Sequence, residues 1–75
     1  MTKLPRVSSR ECVRALEKAG FQNVRQKGSH ITMRRDSPFA QVVVPGNREL
    51  PVGTLRSILR STGLSVDEFI DLLKR

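Results

Sequence analysis

Apolar residues recur at helical spacing at both ends of the chain and alternate with polar residues in the middle. At the start, Ser8 followed by Glu11 matches a capping box. Gly20 is typical of the position just after a helix. We therefore expect a first helix from about Ser9 to Ala19. Its apolar positions are Cys12, Val13, Leu16 and Ala19.

The middle of the chain predicts three strands, which cover Phe21 to Lys27, His30 to Arg34 and Gln41 to Val44. Gly28 and Ser29 form the turn between the first two strands. The turn before the third strand is predicted from Arg35 to Pro38. Loops of this length make neighbouring strands antiparallel, so we expect a three-stranded meander.

The C-terminal part predicts two more helices. Pro51 fits the first position of one helix and Gly63 its end. Ser65 with Glu68 then predicts a capping box for a short additional helix. The expected fold is α+β, in the order α-β-β-β-α with an extra C-terminal helix, and residues 1–75 form one domain. Helices cover one face of the sheet, while the other face remains in contact with solvent.

Size and composition exclude several function classes. The chain has 75 residues, of which 37% are hydrophobic, and it has neither Trp nor Tyr. A core this thin leaves no room for a deep pocket, so we expect no cofactor. One cysteine and one histidine cannot make a zinc site, so we expect no metal. No segment resembles a signal peptide or a membrane span, which predicts a cytoplasmic protein without membrane contact.

The charge balance favours a polyanionic partner. The chain has 14 basic and seven acidic residues, a net charge of +7, and ten of the basic residues are arginine. Arginine is the better bidentate partner for phosphate. A solvated basic surface is the alternative interpretation, but nucleic acid is favoured for a domain this small.

The only histidine lies at the start of the second predicted strand. Alternation directs Ile31 and Met33 to one face and His30, Thr32 and Arg34 to the other. An imidazole, with an unperturbed pKa of about 6.5, can both give and take a proton near neutral pH. Taken alone, a histidine on a strand is more often a surface residue without a catalytic role. In a strongly basic domain, it suggests chemistry on nucleic acid.

Several segments together resemble one family, the HicA-type mRNA interferase toxins of bacterial and archaeal toxin–antitoxin pairs. These segments are Gly20-Phe21, Lys27-Gly28-Ser29-His30, Val44-Pro45, Glu49 to Arg60, and Gly63-Leu64-Ser65. The resemblance implies a fold like that of the double-stranded-RNA-binding domain. It also implies ribosome-independent cleavage of mRNA without metal, with His30 in the place of the family's essential histidine. A cognate HicB-like antitoxin is expected to mask the RNA-facing surface.

The candidate site centres on His30 as general acid or base. The candidate RNA-binding residues are Lys27, Gly28, Ser29, Arg34, Arg35, Asn47, Arg48, Thr54, Arg56 and Arg60. Their alternative role, for the charged ones, is simply to keep the surface soluble. Family members often carry a second histidine where this chain has Asn47. An amide cannot transfer protons, although Asn47 can still orient a phosphate or a sugar hydroxyl.

Two other functions fit the same features. One is a non-catalytic RNA-binding module of the same fold, which binds phosphates and 2′-hydroxyls without proton transfer. The other is a protein-interaction module whose only partner is an acidic antitoxin.

Overall fold

The computed structural model describes residues 3–75 and has the element order α-β-β-β-α-α. The elements are α1 (Ser9–Lys18), β1 (Gln22–Lys27), β2 (His30–Asp36), β3 (Phe39–Val44), α2 (Val52–Thr62) and α3 (Val66–Lys74). The strands form one antiparallel sheet in the order β1-β2-β3. The predicted α+β fold with a three-stranded meander and a third helix is thus confirmed.

Both predicted capping boxes are present. The Ser8 hydroxyl accepts a hydrogen bond from the Glu11 N–H at 3.1 Å, and Glu11 Oε1 accepts one from the Ser8 N–H at 2.9 Å. Ser65 and Glu68 repeat this pair of bonds at the start of α3. The bond from the Ser65 backbone, followed by that involving the Ser65 side chain, lowers the pKa of the Glu68 carboxyl. Pro51 is the N-cap of α2 and not its first helical residue.

The hydrophobic core lies between one face of the sheet and the helices. It joins α1 and α2 to the inward-facing positions of β2 and β3, and Phe69 of α3 completes it against α1. The largest fully buried side chains are Cys12, Leu16, Met33, Val44, Leu55, Thr62 and Phe69. All six residues of β1 are exposed, whereas Met33 of β2 and Ala40, Val42 and Val44 of β3 are buried. No helix within residues 3–75 is long and apolar enough to cross a membrane.

Strand β2 is longer than the sequence predicts. The turn expected from Arg35 is wrong: β2 continues to Asp36, and the turn is Ser37-Pro38. Arg35 pairs with Ala40 on the helix-covered face of the sheet. Its guanidinium lies 4.6 Å from the centre of the Phe21 ring and donates to the Thr62 carbonyl oxygen at 3.3 Å. A charged residue continues the strand here because the ring and the carbonyl compensate its partial burial.

Candidate functional site

His30 is the first residue of β2 and directly follows a two-residue turn. It pairs with Lys27, the last residue of β1, across Gly28 and Ser29. Gly28 has φ +60°, and Ser29 has a negative φ, which is the pattern of a type II′ hairpin turn. Gly28 thus permits the tight turn that brings Lys27 and His30 side by side.

The His30 side chain lies on the open face of the sheet. Ile31 and Met33 face the helices. Because side chains alternate along a strand, their neighbours in β2 face the solvent. We call this solvent-facing surface the open face. Strand pairing assigns to it Gln22, Arg25, Lys27, His30, Thr32, Arg34, Asp36, Phe39, Gln41 and Val43.

Three cationic residues share the open face with His30. Lys27 is its cross-strand partner, Arg25 pairs with Thr32, and Arg34 follows four residues along β2. Arg34 Nε lies 3.1 Å from Asp36 Oδ1, so part of its charge is compensated. Sequence reasoning missed Arg25, although counting back from the two-residue turn would have paired it with Thr32.

The loop after β3 packs against the His30 turn. A Cβ added to Gly46 would come within 2.6 Å of Ser29 Cβ and 2.7 Å of the Ser29 carbonyl oxygen. Only a residue without a side chain allows this approach. The buried Ser9 hydroxyl holds the loop from the other side, since it donates to the Pro45 carbonyl and accepts from the Asn47 N–H at 2.6 Å. The loop is therefore fixed between α1 and the β1–β2 turn.

A cleft of about 520 Å³ lies beside this loop, where α1 begins. Its lining residues are Ser8, Ser9, Arg10, Gly46, Asn47 and Arg48. The cleft adds two exposed arginines, Arg10 and Arg48, to the surroundings of the turn. Sequence reasoning named Arg48 and missed Arg10, because nothing local indicates that the first turn of α1 meets the loop after β3.

A family comparison covers most of this architecture. Residues 9–64 match the model of a family described as the HicA toxin of bacterial toxin–antitoxin systems. The chain belongs to the HicA toxin family. This family match spans α1, the whole sheet and α2, and so includes the His30 turn and the loop after β3. No curated protein gives a significant match to the chain.

In this member of the HicA family, the candidate residues fall into four places. Lys27, Gly28, Ser29 and Arg34 lie in the His30 hairpin, and Asn47 and Arg48 lie in the adjoining loop. Arg35 lies on the opposite face of the sheet from His30, with its guanidinium on Phe21 and Thr62. Thr54, Arg56 and Arg60 belong to α2, which packs against β3, the edge strand on the far side of the sheet from β1.

Asn47 of this HicA family member has a structural role through its backbone. Its N–H bonds to the Ser9 hydroxyl, and its carbonyl oxygen accepts from the Ser9 N–H at 3.0 Å. The residue itself is exposed. Its side-chain amide is thus available at the cleft but offers no group that titrates.

Proposed function

We propose that this protein is the toxin of a type II toxin–antitoxin system and that it cleaves mRNA internally, with His30 as the proton-transfer group. Membership of the HicA toxin family supports the toxin role. The observation that carries the nuclease role is the exposed His30 imidazole, paired with Lys27 on an open cationic face. No metal is required, because the ribose itself supplies the nucleophile.

In the proposed reaction, the ribose 2′-oxygen attacks the adjacent phosphorus while the bond from phosphorus to the 5′-oxygen breaks. The 2′-hydroxyl loses a proton, the leaving 5′-oxygen gains one, and the products end in a 2′,3′-cyclic phosphate and a 5′-hydroxyl. His30 performs one of these proton transfers, which typically contributes about 10²- to 10⁴-fold in rate. The chain has one histidine, so the other transfer uses a different group or water.

The reaction also requires stabilisation of the negative charge that develops on the phosphate in the transition state. Lys27 and Arg25 lie on the same face as His30, and Arg10 and Arg48 line the cleft next to its turn. Fixed cations at the place where negative charge develops are often the larger contribution to such catalysis. Ser29 and Asn47 supply neutral hydrogen-bonding groups to a phosphate or sugar oxygen. Arg35 is not part of the proposed site, since it lies on the other face.

A toxin of this family acts with an antitoxin. We propose that a cognate HicB-like antitoxin covers the His30 turn and so excludes mRNA. Because the protein carries a net charge of +7, an acidic antitoxin surface would match it.

The test compares the wild-type protein with His30→Ala on a labelled RNA in the presence of EDTA. Wild-type protein should cleave, and the variant should lose at least about a hundredfold in rate while keeping its fold and most of its RNA affinity. A single 2′-deoxy substitution at the cleaved position should also stop the reaction there. Lys74→Ala, an exposed change at the end of α3, is the matched control. Undiminished cleavage by His30→Ala would exclude this mechanism.

Asn47 favours a second candidate, a non-catalytic RNA-binding module. The chain lacks the second histidine that the family resemblance leads one to expect, and an RNA-binding role needs no proton transfer. That function predicts a gel shift of the RNA without any product, at every protein concentration. Growth arrest on expression that His30→Ala relieves would favour the nuclease. Arrest that persists in the variant would favour binding alone.

A further inference from the structure

Phe39 is an aromatic side chain that lies outside the hydrophobic core. Of the three phenylalanines, Phe21 and Phe69 are buried, at 2% and 0% exposure, whereas Phe39 is 68% exposed. It pairs with Asp36 at the far end of the β2–β3 ladder, on the open face. Val43 lies on the same strand and face and is 48% exposed. An exposed aromatic ring offers the flat apolar surface on which proteins stack unpaired bases.

The rest of the open face carries the groups that bind a nucleic acid backbone. Arg34 lies on β2, next to the strand that holds Phe39 and Val43, and Arg25 and Lys27 lie on β1, on the far side of β2. Asp36, the acidic residue of this face, is compensated by Arg34 at 3.1 Å. An aromatic ring combined with a row of cations is the arrangement by which flat sheets bind unpaired bases.

We propose that the open face binds single-stranded RNA, with a base stacked on the Phe39 ring and phosphates on Arg25, Lys27 and Arg34. This inference rests on the proposed function for its ligand, mRNA, and adds a base-stacking site at Phe39. A duplex is disfavoured because its base faces are already stacked and unavailable to the ring. A second copy of the chain is disfavoured as the occupant because each copy carries a charge of +7.

The geometry of β2 sets the length of the proposed RNA track, by which we mean the path along the open face from His30 to Phe39. Phe39 lies opposite Asp36, which is six residues from His30 along β2. At about 3.3 Å per residue, the separation is about 20 Å. At about 3.4 Å per stacked nucleotide, an RNA strand that runs from His30 to Phe39 has at most about six nucleotides between these residues. It has fewer when the RNA is extended. The proposal therefore predicts that RNAs shorter than this track bind more weakly.

The experiment uses the absence of tryptophan and tyrosine from the chain. Phe39→Trp introduces a single fluorophore that can still stack, and Val52→Trp places one at another exposed site, 55% exposed at the start of α2. The ligand is a 2′-O-methyl oligonucleotide, single-stranded or annealed, which cannot be cleaved through its 2′-oxygen. The single strand should quench the fluorescence of Phe39→Trp strongly and that of Val52→Trp little, and the duplex should quench neither.

Phe39→Ala supplies the affinity measurement. Its dissociation constant for the single strand should rise between about fivefold and a hundredfold, since a stacked base contributes that much, and its duplex affinity should not change. Equal quenching of both tryptophan variants, or an unchanged single-strand affinity in Phe39→Ala, would overturn the proposal. So would a Phe39→Ala defect confined to antitoxin binding, which would assign this face to the protein partner.

The proposed nuclease activity and the proposed stacking site can be disproved independently of each other. If wild-type protein cleaves RNA through His30 but Phe39→Ala binds the single strand normally, the stacking site is wrong and the nuclease stands. If the single strand quenches Phe39→Trp but no RNA is cleaved, the stacking site stands and the nuclease is wrong.

Discussion

Gly46 is the residue at which one added carbon would disturb the candidate site most directly. We predict that Gly46→Ala costs about 1–3 kcal/mol of stability, the range typical of overpacking, because its Cβ would lie 2.6 Å from Ser29 Cβ. The displaced turn should also lower RNA cleavage. Urea unfolding and the cleavage rate measure the two effects.

Gly53→Ala is the matched control for this change. A Cβ at Gly53 meets no atom within 4 Å, and alanine is the better helix former by up to about 1 kcal/mol. It should therefore leave stability unchanged or raise it. A Gly46→Ala protein as stable as Gly53→Ala would show that the loop is not held against Ser29.

Cys12 is the chain's only thiol and lies at 0% exposure inside α1. Desolvation by burial raises the pKa of this thiol to about 12. Since the thiolate is the reactive form, we predict almost no labelling by a disulfide reagent at pH 8 in the native protein and complete labelling in denaturant. The rate of native labelling should follow global unfolding as urea is raised. Fast labelling without urea would contradict the burial.

At the scale of elements, the start of α3 depends on the ionisation of Glu68. The Ser65 bonds lower the pKa of this carboxyl in the folded state, so its charged form favours folding. This contribution is present above the pKa of an unfolded glutamate, about 4.3, and is lost as pH falls through the lower folded value.

We predict that Glu68→Gln makes the melting temperature less sensitive to acid. Glutamine keeps the acceptor for the Ser65 N–H but does not titrate. The melting temperatures of the wild-type protein and the variant should converge between about pH 6 and pH 3, with the wild-type protein losing more. If the two melting temperatures fell in parallel over this pH interval, the carboxylate charge would contribute nothing to the stability of the protein.

Local signals explain why so much of the fold could be predicted. Each capping box spans four consecutive residues, and the Gly28–Ser29 turn fixes the pairing of β1 with β2. The position of His30 on the open face follows from the alternation of inward-facing and outward-facing residues along β2. The length of β2 could not be predicted, because Arg35 is held by Phe21 and Thr62, which are distant in sequence.

The surroundings of His30 were harder to predict for the same physical reason. The cleft that brings Arg10 to the loop depends on how α1 docks on the sheet. The contact of Gly46 with Ser29 depends on the register of β2 with β3, in which Ile31 pairs with Val44. Arginines are spread over the whole sequence, so charge alone cannot tell which of them meet. Arg35 illustrates this, since it lies one residue from Arg34 and faces the helices.

For the whole molecule, we expect the net charge of +7 to attract RNA from every direction, whereas the proposed phosphate contacts lie on the open face. Each phosphate contact releases counterions. The logarithm of the binding constant for a single strand therefore falls with the logarithm of salt concentration by about 0.7 per contact. The slope of this salt dependence counts the contacts, whereas the affinity at one salt concentration does not.

We predict that Arg25→Ala and Lys27→Ala each reduce this slope by about 0.7, because each residue lies on the open face beside β2. Lys74→Ala removes the same charge from the end of α3 and should leave the slope unchanged. Binding of a single-stranded 2′-O-methyl RNA between 50 and 300 mM salt, roughly the range over which such slopes are linear, provides the measurement. If all three variants lowered the slope equally, RNA would be attracted by the total charge with no preferred face. If only the two sheet variants lowered it, the phosphates would follow β1 past His30.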